Sequence, residues 1–272
     1  MMKSKFFPKH NQNRKKNEGN VEAARAYFMT GKNRVLYHLV KQRYSWMNKY
    51  IKKSDKNIIE LGCGAGLSKE FIHNENLKLT DVIDNDWVDM YMDALNMDCP
   101  DESLDVVICS HMIHHIANPA SFLDKISDKL KCGGGRIIIQ DIYTCSIMKA
   151  VLRIMRHEGW SDDIDIYDRE AICNDQTDPW SANCSIPKLL FFDKREKFEK
   201  EFPMYKMIYR KRGECLNFLL SGGVIAKTFH LPVGDKGVRI IQKIDKGLVR
   251  MAPSVFACGC SIVLQKKVVF HF

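Results

Sequence analysis

The stretch Asn57-Ile58-Ile59-Glu60-Leu61-Gly62-Cys63-Gly64-Ala65-Gly66-Leu67 constrains this chain more than any other. A short apolar run ends in an acid, and three glycines follow at alternate positions. An amphipathic segment, Leu67 to Ile72, comes next. That order reads as strand, glycine-rich turn and helix. Glycine has no Cβ, so the backbone can turn tightly there and bare its N–H groups to a ligand. One such turn is a weak signal by itself. The residues after it decide what it binds.

Leu77-Lys78-Leu79-Thr80-Asp81-Val82 reads as a second strand, and Val88 to Ala94 holds a very short third, with little room for a helix between. Ser103 to Ser110 is a buried fourth strand, apolar throughout like those of parallel sheets. Pro119 to Leu130 is a helix with proline in its first turn. Gly133-Gly134-Gly135 ends it, and Arg136 to Gln140 is a fifth strand. Alternation at this spacing predicts an α/β domain with a parallel sheet. Ahead of it, residues 21–53 show apolar residues at steps of three and four and read as two helices. Residues 1–20, with Lys3, Lys5, Lys9, Arg14, Lys15 and Lys16, read as a flexible basic tail.

Residues 145–201 break the pattern. A helix is expected from Ser146 to about His157, then an acidic stretch, then a helix from Ile186 to Phe198. We read this region as a cap insertion over the sheet edge, within a single domain spanning 21–272. The sheet resumes at Tyr205–Tyr209 and closes with Phe256–Leu264, joined by a helix near Val238–Val249.

The net charge of +9 admits nucleic acid, an anionic membrane or an acidic substrate as partner. Ten cysteines show no C-x-x-C and no zinc spacing, so no metal site is expected, and a reduced, cytoplasmic protein is. No apolar run is long enough to span a bilayer.

Spacing separates two nucleotide readings. The dinucleotide fingerprint places its third glycine three residues after the second, which here is Leu67. The glycine comes early instead, at Gly66. The chain thereby resembles the class I S-adenosylmethionine-dependent methyltransferases, and the resemblance continues. Asp93-Ala94 with Pro100, Ser103, Leu104 and Asp105 is similar to their D-A-x-x-L-P-F…S-F-D segment. Cys109 to Ile116 is similar to their L-H-H-I loop, and Leu130 to Ile137 to their L-K-P-G-G-R-I. The match covers residues 55–142. It departs at Cys132, which stands for the usual proline, and at Cys99, within a degraded L-P-F.

The resemblance implies a Rossmann-like methyltransferase fold: a mostly parallel seven-stranded sheet, helices on both faces and a helical cap. It implies S-adenosylmethionine as cofactor and its demethylated homocysteine form as product. Gly62, Gly64 and Gly66 would lie against the amino-acid end, with Glu60 at the ammonium. Asp81 would accept both ribose hydroxyls, with Asp84 as the rival. Asp93 would take the adenine amino group and the Ala94 N–H a ring nitrogen. Ser110 would border the cofactor, and Trp87 could wall the adenine. His111 or His114 would be the general base, with His115 a packing residue.

The expected reaction is methyl transfer, most readily to oxygen, on a small-molecule or saccharide acceptor of a glycan or secondary-metabolite pathway. Trp160, Tyr167 and Trp180 in the cap suit a sugar. Two other acceptors stay open. Basic charge favours RNA, but no [D/N/S]-P-P-[Y/F/W] element or Pro-Cys nucleophile follows the fourth strand. A lipid-like quinone precursor would suit the aromatic residues of the first two helices.

Overall fold

The structure is a computed structural model, and it describes residues 5–8, 19–156, 158–174, 181–225 and 228–268. Its centre is a seven-stranded sheet. The strands are β2 (Ile58–Leu61), β3 (Leu77–Asp81), β4 (Met90–Tyr91), β5 (Val106–Ser110), β6 (Arg136–Ile142), β8 (Tyr205–Gly213) and β9 (Gly259–Lys266), in the order β4-β3-β2-β5-β6-β9-β8. The first five pair in parallel, and β9 runs antiparallel between β6 and β8. The order reverses between β2 and β5, and in open α/β sheets ligands bind at the carboxyl ends beside such a reversal.

Side chains alternate across this sheet. Ile59, Leu61, Val107, Cys109, Ile137 and Ile139 belong to one apolar cluster, while Ile58, Val106, Ile108 and Ile138 belong to a second on the opposite face. On the second face lie α1 (Val21–Met29) and α2 (Arg34–Ser45). Asn20 and Asn33 cap these helices by accepting the N–H groups of Ala23 and Leu36. The first face carries α3 (Pro119–Lys129), capped by Asn118 and opened by proline.

Several local expectations are corrected. The segment after the glycine turn is a 3₁₀ turn, Leu67–Glu70, and no α-helix. Its chain has only the span to Leu77 in which to return to the sheet. Residues 5–6 are not part of a tail: they form β1 (Lys5–Phe6), antiparallel to β7 (Trp160–Ser161). Lys3, Lys9, Arg14, Lys15 and Lys16 lie outside the described residues. The helix expected over 186–198 divides into α5 (Ile186–Lys188), a π-helical turn Leu189–Asp193, and α6 (Arg195–Glu201). The last strand begins at Gly259, because Pro253 starts a short helix, α9 (Pro253–Phe256), instead.

The 145–201 region is less separate than a cap. Its helix α4 (Ser146–Met155) borders the cavity described below. Trp160, Tyr167, Phe191 and Phe198, however, are buried in the same apolar cluster as the sheet. Trp160 and Tyr167 are 0% and 4% exposed, so neither offers a ring to a sugar. Trp180 lies outside the described residues. After β8 come α7 (Leu216–Leu219) and the long α8 (Asp235–Met251).

Candidate active site

At the carboxyl ends of β2, β3 and β5 lies a cavity of about 810 Å³. The glycine turn forms part of its wall. Gly62, Gly64 and Gly66 all take left-handed φ of +63°, +50° and +62°, which side chains resist. A Cβ on Gly62 would meet Met112 Cγ at 2.7 Å, while one on Gly64 would point into open space. The turn's carbonyls are held from outside: Arg25 donates to Ala65 O at 2.9 Å and Gly66 O at 3.0 Å, and the Trp87 indole N–H donates to Gly64 O at 2.8 Å. Trp87 therefore braces the turn and does not line the cavity. Gly66 is also outside the lining. Its role is shape, since a Cβ there would run into the Trp87 ring.

Asp81 closes β3 and is 7% exposed. Its carboxylate accepts the Gly64 N–H at 2.9 Å and the Ile83 N–H at 3.0 Å, and it borders the cavity. Asp84 is exposed and does not border it. Asp93, Ala94 and Ser110 line the same space, with Asp93 accepting the Leu95 N–H at 2.8 Å. Glu60 does not line it. The carboxylate is wholly buried, accepting hydrogen bonds from Tyr44 (3.0 Å) and Ser68, and burial raises its pKa to about 7. Tyr44 stands between Glu60 and the cavity, a contact that no sequence pattern announced.

The loop after β5 brings three histidines to the cavity, and their environments differ. His111 takes a left-handed φ of +54°, unusual for any residue but glycine. Its Nε2 is buried without a hydrogen-bond partner, and burial together with the charges of Arg43 and His114 pulls its pKa well below 6.5. It is a neutral imidazole with one nitrogen unspent. His114 is the opposite. Burial would lower it, but its Nδ1 bonds Asp141 and its Nε2 lies 3.7 Å from Glu158, which together raise it to about 10. Asp141 also accepts the N–H groups of Ile113 and Ile142. His115 is lowered to about 4 by desolvation and by the charge on His114.

Asp141 and Glu158 were absent from the sequence expectations. They come from β6 and from the turn after α4, far along the chain, and only the fold brings them to the loop. Ligand-type atoms of His114, His115 and Glu158 lie within 4.8 Å of one another, a grouping that no linear spacing reveals.

Much of the remaining wall is apolar, with Met148, Val151 and Leu152 of α4 and Phe218, Leu219 and Val224 around α7, while Arg43, Asn174 and Thr228 add polar groups. The residues present thus fit S-adenosylmethionine by three observations. A carboxylate stands at the β3 end, a glycine backbone opens to the space, and a buried imidazole nitrogen lacks a partner.

Comparison with known proteins agrees. Residues 33–175, more than half of the chain, match the family model described as "Methyltransferase domain". The chain is similar to the ubiquinone biosynthesis O-methyltransferases of Stutzerimonas stutzeri and Azotobacter vinelandii, at 24% and 22% identity over 117 residues. Those matches cover 36% of this chain, which spans about half (50%) of the length of each of these relatives. A solved S-adenosylmethionine-dependent methyltransferase from Archaeoglobus fulgidus shares the fold, with a TM-score of 0.50 and 19% identity over 89% of this chain and 99% of that one. No helix among the described residues is long and apolar enough to cross a membrane. A parallel sheet that reverses at a glycine turn, an acid-bordered cavity and a matching family model together place the chain in the methyltransferase domain family.

Proposed function

We propose that the enzyme methylates a hydroxyl of an apolar, phenol-type small molecule. The observation that supports this most is the pairing of an apolar wall with two histidines of opposite protonation in one cavity. S-adenosylmethionine, when bound, supplies a methyl group on a sulfonium. In this reading Gly62 and Ala94 offer backbone N–H groups, Gly64 lets the cofactor approach the backbone closely, Asp81 holds the ribose hydroxyls, Asp93 the adenine amine, and Ser110 borders the sulfonium end. Glu60 acts through Tyr44, and Gly66 keeps the turn in shape.

The unpartnered Nε2 of His111 would accept the proton of the acceptor hydroxyl, while the bound cofactor would supply the methyl group and keep the carbon–sulfur electron pair on its sulfur. His114, whose two ring nitrogens face Asp141 and Glu158, fixes the loop that carries His111. A weak base suits an acceptor that ionises near pH 10, as phenols do. An aliphatic hydroxyl, with acidity closer to that of water at about 15.7, asks for more than a depressed imidazole provides. The buried Trp160 and Tyr167 remove two of the rings that a saccharide reading relied upon. The likeness to ubiquinone biosynthesis O-methyltransferases supports the same reading.

The test is product mass. The enzyme and S-adenosylmethionine are incubated with an alkyl-substituted catechol, a monosaccharide and a short RNA. A gain of one methyl on the catechol alone is expected. Methylation of the sugar or RNA with none on the catechol would refute the assignment.

A further inference from the structure

The outer face of α8 is segregated in a way that methyl transfer does not explain. Ile240, Ile244 and Met251 are 60%, 47% and 71% exposed. Spacings of four and seven put them in one stripe, about 17 Å long at 1.5 Å per residue. Lys236, Arg239, Lys243, Lys246 and Arg250 follow at steps of three and four, so they form a second stripe along one side of the first. All five are exposed, and none makes an ion pair with a described residue.

The cationic stripe does not stop at the helix. Lys246 and Arg250 share a groove of about 510 Å³ with Arg210, Lys211 and Arg212 of the edge strand β8. Two acids border that groove, and both are committed inward. Glu214 holds Arg43 at 2.7 Å and accepts from Gln140 at 3.0 Å. Asp245 accepts the backbone N–H groups of Cys215, Leu216 and Asn217. The groove is therefore short of negative charge, and like charges from Arg195 and Arg212 add to burial in pulling Arg210 below its ordinary range.

We propose that the α8–β8 face docks on an anionic lipid bilayer, with Ile240, Ile244 and Met251 entering the acyl boundary and the cation row meeting lipid phosphates. An exposed apolar stripe flanked by lysine and arginine is what an interfacial helix requires. Nucleic acid would satisfy the cations, but α8 offers no aromatic ring on which a base could stack. A second copy of the chain would bring like charge to like charge. The inference stands whatever the acceptor is.

The full chain of 272 residues is sedimented with phosphatidylcholine vesicles, with and without a quarter phosphatidylglycerol, at low and high salt. Binding to the anionic vesicles should exceed binding to neutral ones by about tenfold or more and fall with salt. Both I240S/I244S/M251S and K243E/K246E/R250E should lower it by about tenfold or more. Calorimetric binding of S-adenosylmethionine should be unchanged in both, which shows that they fold. Equal binding to neutral vesicles, or full retention by either variant, would overturn the proposal. So would RNA binding abolished by the charge variant in a protein that ignores vesicles.

Discussion

His111 and His114 stand three positions apart in one loop, yet the fold gives them opposite charge states. The motif alone left either as the base. Our proposal of His111 rests on Asp141 and Glu158, which face both ring nitrogens of His114 and lie beyond the reach of a local pattern. The consequence is measurable as stability against pH. The folded pKa of His114 is raised to about 10 from an ordinary 6.5. Its contribution is thus whole below about pH 6.5 and is lost as pH rises towards 10. Glu60, raised to about 7, acts with the same sign in the lower window from about 4.5 to 7. Replacing His114 with Gln should cost about 3 kcal/mol near pH 7, because the Asp141 carboxylate loses its buried partner. It should also flatten the stability slope between pH 7 and 10. Urea titrations at stepped pH check this, and an unaltered slope in H114Q would contradict the assigned protonation.

At the scale of elements, what the sequence concealed is short or irregular. β1 has two residues, too few for alternation to register, and a basic neighbourhood makes it read as tail. Its hold comes from elsewhere: Phe6 packs on Trp160 with ring centroids 5.0 Å apart. Gly159 leaves the room, since a Cβ there would collide with Phe7. Phe6→Ala should destabilise the protein by about 1–2 kcal/mol and open the Trp160 indole to a soluble fluorescence quencher. An unchanged melting temperature and unchanged quenching would show that the strand contributes nothing. The 3₁₀ turn at 67–70 and the π turn at 189–193 were hidden for a related reason. Apolar spacing marks which face is buried, but it does not mark how tightly a turn winds. The long parallel strands were legible because burial on both faces writes an unbroken apolar run, as in Val106 to Cys109.

Across the whole molecule, the sheet and the glycine-turn end of the cavity were legible, since the glycine turn, Asp81, Asp93 and the histidine loop each lie close to a strand end. The apolar end was not. Its wall joins α4 to the segment around α7, two regions with no shared motif, and Trp160 and Tyr167 proved to be core residues. The same closeness of packing governs the cysteines. All ten are free thiols, eight are buried, Cys99 is partly so and Cys132 alone is exposed. A native molecule should therefore consume a thiol reagent quickly at Cys132 and slowly elsewhere, while the unfolded chain reacts at all ten. The slow phase then times the rare openings of the intact fold, and binding of S-adenosylmethionine should lengthen it. The chain carries its own clock for global opening, readable without any added label.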